Sequence, residues 1–162
     1  MEKDDDFNLK NILLSKKNHI ITNDVENIIV FGDDKAIKRL AAATTIHADG
    51  TFTCVLPGFS QLYIFHATVE NNLSLPVLFC LVKGKDEQTY TKLLSLVEDL
   101  ANAEGLRVFD RPVTLMCDFE QALINAVQQH FKSVVVKCCF PFCPEPPEGR
   151  NQDHHRGQEG YG

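Results

Sequence analysis

The spacing of apolar residues changes period at Gly84, and no other feature constrains the fold as much. Before that point three apolar runs follow one another, "TTIHADGTFTCV", "QLYIFHATV" and "LSLPVLFCLV". Their wealth of Thr, Val, Ile and aromatic residues predicts strands. "LPGFS", with Pro57 and Gly58, and "ENN" supply turn chemistry between them. Connections this short imply an antiparallel meander, and the near-continuous apolar character of the third run predicts burial on both faces. After Gly84 the period is helical: Tyr90, Leu93, Leu94, Val97 and Leu100 recur at steps of three and four, with Asp86 placed to cap and Gly105 to end the helix. Val113 to Cys117 is a short strand ending on Asp118. A second amphipathic helix carries Ala122, Leu123, Ala126, Val127 and Phe131 on one stripe, and "SVVVKCCF" is a final strand.

This order predicts an α/β fold built on one mixed sheet: an antiparallel meander of three strands, then helix, strand, helix, strand. The last two strands, reached by helical crossovers, should each lie parallel to a neighbour. The order is similar to that of ribonuclease H-like nucleases and transposases, in which the fourth strand pairs beside the first. Upstream, Ile28 to Phe31 read as an edge strand, Gly32 breaks it, and Asp33 or Asp34 can cap a helix packing through Ala36, Ile37, Leu40 and Ala41. Residues 1–27 are expected as a weakly ordered lead-in, 28–140 as the domain and 141–162 as a disordered tail.

With 162 residues, 44% of them hydrophobic, the chain has the material for one domain and a real core. It contains no apolar run of the roughly 18 residues a membrane span needs, and "MEKDDD" is the reverse of a signal peptide. The expectation is an intracellular protein without a membrane partner. Six cysteines do not make a disulfide framework here, because Cys54, Cys80 and Cys117 each sit in an apolar strand-like run, where a reduced Cys behaves as a small hydrophobe. The net charge of −6 argues against strong sequence-independent binding of nucleic acid, which Lys and Arg drive. Lys35, Lys38 and Arg39 form one small basic face, of a kind more often solvated than bound to DNA.

If the fourth strand pairs beside the first, Asp49 and Asp118 converge. Two carboxylates from adjacent strands offer oxygen ligands to a hard divalent cation. Taken singly each has a plainer role: an Asp before a helix is commonly its N-cap, and an Asp-Gly pair is commonly a turn. A lone His on a strand, as at His47 or His66, is more often structural than a ligand.

Whole segments, beyond single residues, resemble the MULE (Mutator-like element) transposases, DDE-type enzymes of the ribonuclease H-like superfamily. "ADGTFTCVLPGFSQLYIFHATV" is similar to that family's Asp-Gly-Thr-Phe strand and following Phe-x-Gln-Leu-Tyr strand. "LPVLFCLVKGKDEQTYTKLL" resembles its third strand and Thr-Tyr helix, "VTLMCDFEQALINAVQQHF" its Asp-Phe-Glu motif, and "VVVKCCF" the strand leading to a Cys-x-x-His motif. "NIIVFGDDKAIKRLAAA" is similar to the family's lead-in, so the likeness covers roughly residues 28 to 140. It implies metal-dependent DNA cleavage and strand transfer, catalytic and metal-binding aspartates at Asp49 and Asp118, Mg²⁺ or Mn²⁺ as cofactor, DNA as partner and a nuclear location for a functional protein. Glu120 and Cys138 are weaker candidates from the same motifs. A homo-oligomer is compatible with the sequence, which carries no mark of one.

The likeness breaks after Phe140. Pro141 stands where the family has His, and Pro144, Pro146 and Pro147 forbid the helix that should follow. Removing one base of the Pro141 codon lets "PFCPEPPEG" be re-read as His-Phe-Ala-Gln-Ser-Leu-Arg-Lys-Val, which restores the His; we therefore expect an out-of-frame tail, and DNA sequence across codons 140 to 143 decides it. Cys138, Cys139, Cys143, His154 and His155 match no common zinc-finger spacing. The family's third acid, a Glu, lies downstream of Cys-x-x-His. The expectation is thus a truncated, inactive catalytic domain. The alternatives are a domesticated DNA- or protein-binding module without catalysis and an active nuclease using Glu145 or Glu148 as third acid.

Overall fold

The computed structural model describes residues 19–24, 28–51, 55–118 and 120–138, with the backbone alone for 19–24 and 138. Their strands form one seven-stranded sheet in the order β1-β2-β5-β4-β3-β6-β7. The strands are β1 His19–Asp24, β2 Ile28–Gly32, β3 Thr45–Thr51, β4 Gln61–Thr68, β5 Ser74–Val82, β6 Val113–Cys117 and β7 Val134–Cys138. Three α-helices, α1 Ala36–Ala42, α2 Glu87–Ala103 and α3 Gln121–His130, connect them.

The period switch translates directly into topology. β3, β4 and β5 form the antiparallel meander, with Gly58 at φ 91° in the first turn and Asn71 and Asn72 at φ 64° and 58° in the second. Past Gly84 each strand is reached through a helix, so β6 lies parallel to β3 and β7 parallel to β6. The long apolar run became β5, seated between β2 and β4 and buried from Val77 to Val82. Pro76 interrupts that strand harmlessly. It lies beyond the last β2 pairing, Gly32 with Leu78, and beside the irregularity at Phe65 and His66, where a missing N–H breaks no ladder on the β2 side.

The expected edge strand is not at the edge. β2 is covered by β1, which pairs with it antiparallel through a register shift between Ile20 and Thr22. "HIITND" is short and flanked by charges, so its β-branched residues produced no periodicity from which a strand could be read. A second correction concerns α1, whose N-cap position is Lys35 rather than either aspartate. Asp33 acts from two residues earlier: its Oδ1 accepts the Lys35 N–H at 3.0 Å and its carboxylate pairs with Arg39 at 2.5 Å. α2 does start on Asp86, which accepts from the Thr89 N–H at 2.9 Å, and Gly105 at φ 71° follows its end.

The two faces of the sheet differ. All three helices pack on one face, where Ala48, Tyr63, Phe65, Cys80, Leu115 and Cys117 meet Leu40, Tyr90, Leu94, Val97, Leu123 and Val127. Rings run through this core from Tyr90 to Tyr63, Phe65, Phe109 and Phe131, with successive centroids 5.5–5.9 Å apart. Buried Glu98 ties the chain after α2 to it by accepting the N–H groups of Val108 and Phe109 at 3.0 and 2.6 Å. The opposite face is divided. Over β2, β5 and β4 it is apolar, with Phe31, Leu62, Ile64, Phe79 and Leu81 packed beneath Val55 and Phe59. Over β3 and β6 it carries His47, Asp49 and Met116 instead, and the functional candidates gather on this polar half.

Candidate functional site

The parallel pairing of β3 with β6 builds the site. Thr45, Ile46 and His47 stand beside Thr114, Leu115 and Met116. Two residues further along each strand, on the same face by the alternation of side chains, come Asp49 and Asp118. Ile46, Ala48, Leu115 and Cys117 point the other way and are buried beneath the helices, which fixes the register: a slip of one residue would drive the carboxylates into the core. Asp49 and Asp118 are both exposed and line one cavity of about 360 Å³ together with His47, Ala48, His66, Ser74 and Met116. A larger cavity of about 700 Å³ opens beside Arg39, Thr68, Glu70 and Asn72, and neither aspartate lines it.

The plainer roles weighed for the two aspartates are not the ones they occupy. Asp49 lies inside β3, paired with Ile64, rather than in a turn. The N-cap position of α3 belongs to Glu120, whose side chain makes no capping bond, while the Asp118 backbone carbonyl accepts the Glu120 N–H at 2.8 Å.

The two histidines join the aspartates in the cavity lining, which sequence reasoning did not foresee. His47 shares a strand face with Asp49, a relation readable from the two-residue spacing, but His66 arrives only through its cross-strand pairing with His47. Burial pushes the His66 pKa below its ordinary value and the neighbouring His47 adds to the shift, against a smaller opposing pull from Asp49. His66 is therefore mostly neutral at pH 7, a donor and acceptor rather than a fixed charge.

The weaker candidates fall elsewhere. Glu120 does not line the cavity and instead acts on the Tyr90 hydroxyl on the helix side of the sheet. Cys138 ends β7 in register with Cys117, so its backbone stands one strand over from the end of β6. Cys80 and Cys117 are buried and unbonded to one another, and burial holds the Cys80 thiol far above its ordinary pKa, as expected of inert packing residues. Cys54, Cys139, Cys143, Glu145, Glu148, His154, His155 and the prolines from Pro141 onward lie outside the described residues. Among the described residues no group of three or more His, Cys, Asp and Glu side chains is arranged to hold a metal ion. No described helix is long and apolar enough to cross a membrane.

Comparison with known proteins adds one match. Neither a curated protein nor a solved structure matches the chain. The family profile of the MULE transposase domain does, over residues 45–143, a range that opens on the first residue of β3 and takes in Asp49, Asp118 and every element from β3 to β7. That range is well over half of the 162 residues and holds the parallel β3–β6 pair on which the cavity depends, so the chain belongs to the MULE transposase family.

Proposed function

We propose that Asp49 and Asp118 are the carboxylate pair of a divalent-cation site on a ribonuclease H-like, DNA-processing transposase scaffold. The observation that carries the reading is their meeting in one cavity across the parallel β3–β6 pair. The donor set suits Mg²⁺ or Mn²⁺: such ions take oxygen ligands, keep several waters, and are held by one or two carboxylates together with substrate phosphates. His47 and His66 share the lining, but among the described residues they are not arranged with the aspartates as a joint ligand set, so the pair of carboxylates defines the donor chemistry as oxygen. When bound, the cation supplies Lewis-acid polarisation of a phosphodiester and lowers the pKa of an attacking oxygen. The chain's own residues orient it. The buried neighbours Ala48 and Cys117 hold both strand ends, and His47 together with the neutral His66 stands on the cavity wall where a hydrogen-bond donor can face a phosphate oxygen.

The described residues bring two carboxylates to this cavity, and two-metal phosphodiester chemistry in this family uses three acids. We therefore read the described domain as a cation- and DNA-directed scaffold without cleavage activity of its own.

The test is titration calorimetry of Mn²⁺ into the chain and into Asp49→Asn and Asp118→Asn variants, with unfolding temperatures recorded in parallel. Binding that weakens at least about tenfold in each variant, with folding intact, is the expected result. Equal affinity in all three would remove the aspartates from the site. Mg²⁺-dependent plasmid nicking that disappears in Asp49→Asn would reverse the assignment as inactive.

A further inference from the structure

Behind the strand ends that carry the two aspartates, on the helix side of the sheet, lies a buried polar group with no role yet assigned. Gln61, the first residue of β4, is fully buried, and its Nε2 donates to the Tyr90 hydroxyl oxygen at 2.9 Å and to the Gly84 carbonyl at 3.4 Å. Tyr90 is also fully buried, in the first turns of α2, with its ring 5.6 Å from that of Tyr63. Burial raises the Tyr90 pKa most, the Gln61 hydrogen bond opposes this, and the Glu120 carboxylate raises it further both as hydrogen-bond acceptor and as charge. With its oxygen accepting from the Gln61 amide, the Tyr90 hydroxyl keeps a hydrogen that it can turn toward the Glu120 carboxylate.

Two further atoms face inward unpaired. Gln61 Oε1 and the Tyr63 hydroxyl are buried without a hydrogen-bond partner among the described residues. A core built only for packing would place a leucine at Gln61, because each unpaired buried polar atom costs about 1–3 kcal/mol. The members come from β4, α2 and the β6–α3 turn, and they converge on the chain neighbours of both aspartates. Glu120 is two residues past Asp118 and its N–H donates to the Asp118 carbonyl. Gly50 follows Asp49, and a Cβ there would stand 2.6 Å from Gln61 Oε1 and 3.2 Å from the Tyr63 ring.

We propose that Gln61, Tyr90 and Glu120 form a positioning network that fixes the Asp118 turn against the Asp49 strand end and thereby sets the affinity of that pair for a divalent cation. The inference rests on the cation-site reading above and deepens it. It makes Glu120 a positioning residue that accepts from Tyr90 rather than a ligand, and it gives the "QLY", "TY" and "DFE" segments one shared purpose.

The experiment measures Mn²⁺ affinity by calorimetry and thermal unfolding on the full chain and its variants. Tyr90→Phe keeps the ring packing and loses only the hydroxyl; it is expected to unfold within a few degrees of the parent chain and to bind Mn²⁺ roughly tenfold more weakly, the usual cost of removing a group that orients a ligand. Glu120→Gln, whose amide oxygen still accepts from Tyr90, is expected to bind more tightly than Glu120→Ala. Unchanged affinity in a folded Tyr90→Phe overturns the proposal. So does equal loss in Glu120→Gln and Glu120→Ala, which would make Glu120 a ligand; these variants change a partly exposed residue and keep the test alive if Tyr90→Phe does not fold. If the parent chain binds no Mn²⁺, or Asp118→Asn binds as well as the parent, the cation-site reading itself fails and the network proposal falls with it.

Discussion

Gly50 is the residue on which two demands meet. Its strand position would suit a β-branched side chain, and alanine there would reduce the entropy of the unfolded chain, worth about 0.4–1 kcal/mol. The space is taken by Gln61 Oε1 and the Tyr63 ring, both buried, and the Gln61 amide is tied by its bonds to the Tyr90 hydroxyl and the Gly84 carbonyl. Overpacking typically costs about 1–3 kcal/mol, so it wins. Gly50→Ala is expected to lower stability by about 1–2 kcal/mol, read as a reduced urea midpoint with an unchanged slope. At Asp33 the hydrogen bond from Arg39 holds the carboxyl below its ordinary pKa, with a smaller contribution from the Lys35 N–H, against the effect of burial. The sign follows from linkage: a carboxyl with a depressed folded-state pKa contributes stability that is present above its unfolded pKa, near 3.8, and lost as pH falls through the folded value. Asp33→Asn is therefore expected to flatten the acid limb of the stability curve below about pH 4, measured by thermal unfolding between pH 2.5 and 6. Partial exposure of the pair keeps the effect small. The existence of an aspartate near this helix start was legible in the sequence. Its partner Arg39 was not, because which side chain closes on Asp33 depends on how the first turn of α1 is wound.

Elements record how far local pattern reaches. β3 to β7, α2 and α3 were each legible because an amphipathic face is written in the spacing of its own residues. β1 was not, since six residues between charged flanks carry too few apolar positions to show a period, and its strand state comes from pairing with β2. α1 shows the same dependence on tertiary contact. It has seven residues and no side-chain N-cap bond, too little for a stable isolated helix. Arg111, 68 and 71 residues away in sequence, holds its C-terminal end by donating from Nη2 to the carbonyls of Ala43 and Leu40. No local signal could have named Arg111, because a cap delivered from another element has no fixed spacing. Amide hydrogen exchange is expected to follow this hierarchy: slowest in β4 and β5, each paired on both sides and buried, and faster in the outermost strands β1 and β7. Exchange in β7 as slow as in β4 would show that its outer edge is covered in solution.

At the scale of the molecule, the sheet separates packing from chemistry. One face is devoted to the helices and the aromatic row, and the other is apolar over β2, β5 and β4 but polar over β3 and β6. Sequence by itself determined the order of elements from β2 onward, the meander before Gly84 and the crossovers after it, because periodicity is a property of neighbouring residues. It also named Asp49 and Asp118, through motifs carried in short contiguous segments that the MULE profile matches. Only tertiary structure decided that the two aspartates share a cavity with His47 and His66, that the Glu120 charge raises the Tyr90 pKa, and that Gln61 is buried against Tyr90. These relations join residues on different strands and helices, with Asp49 and Asp118 69 positions apart. Their distances follow from strand register and helix packing, which the whole core sets at once and no local stretch of sequence encodes.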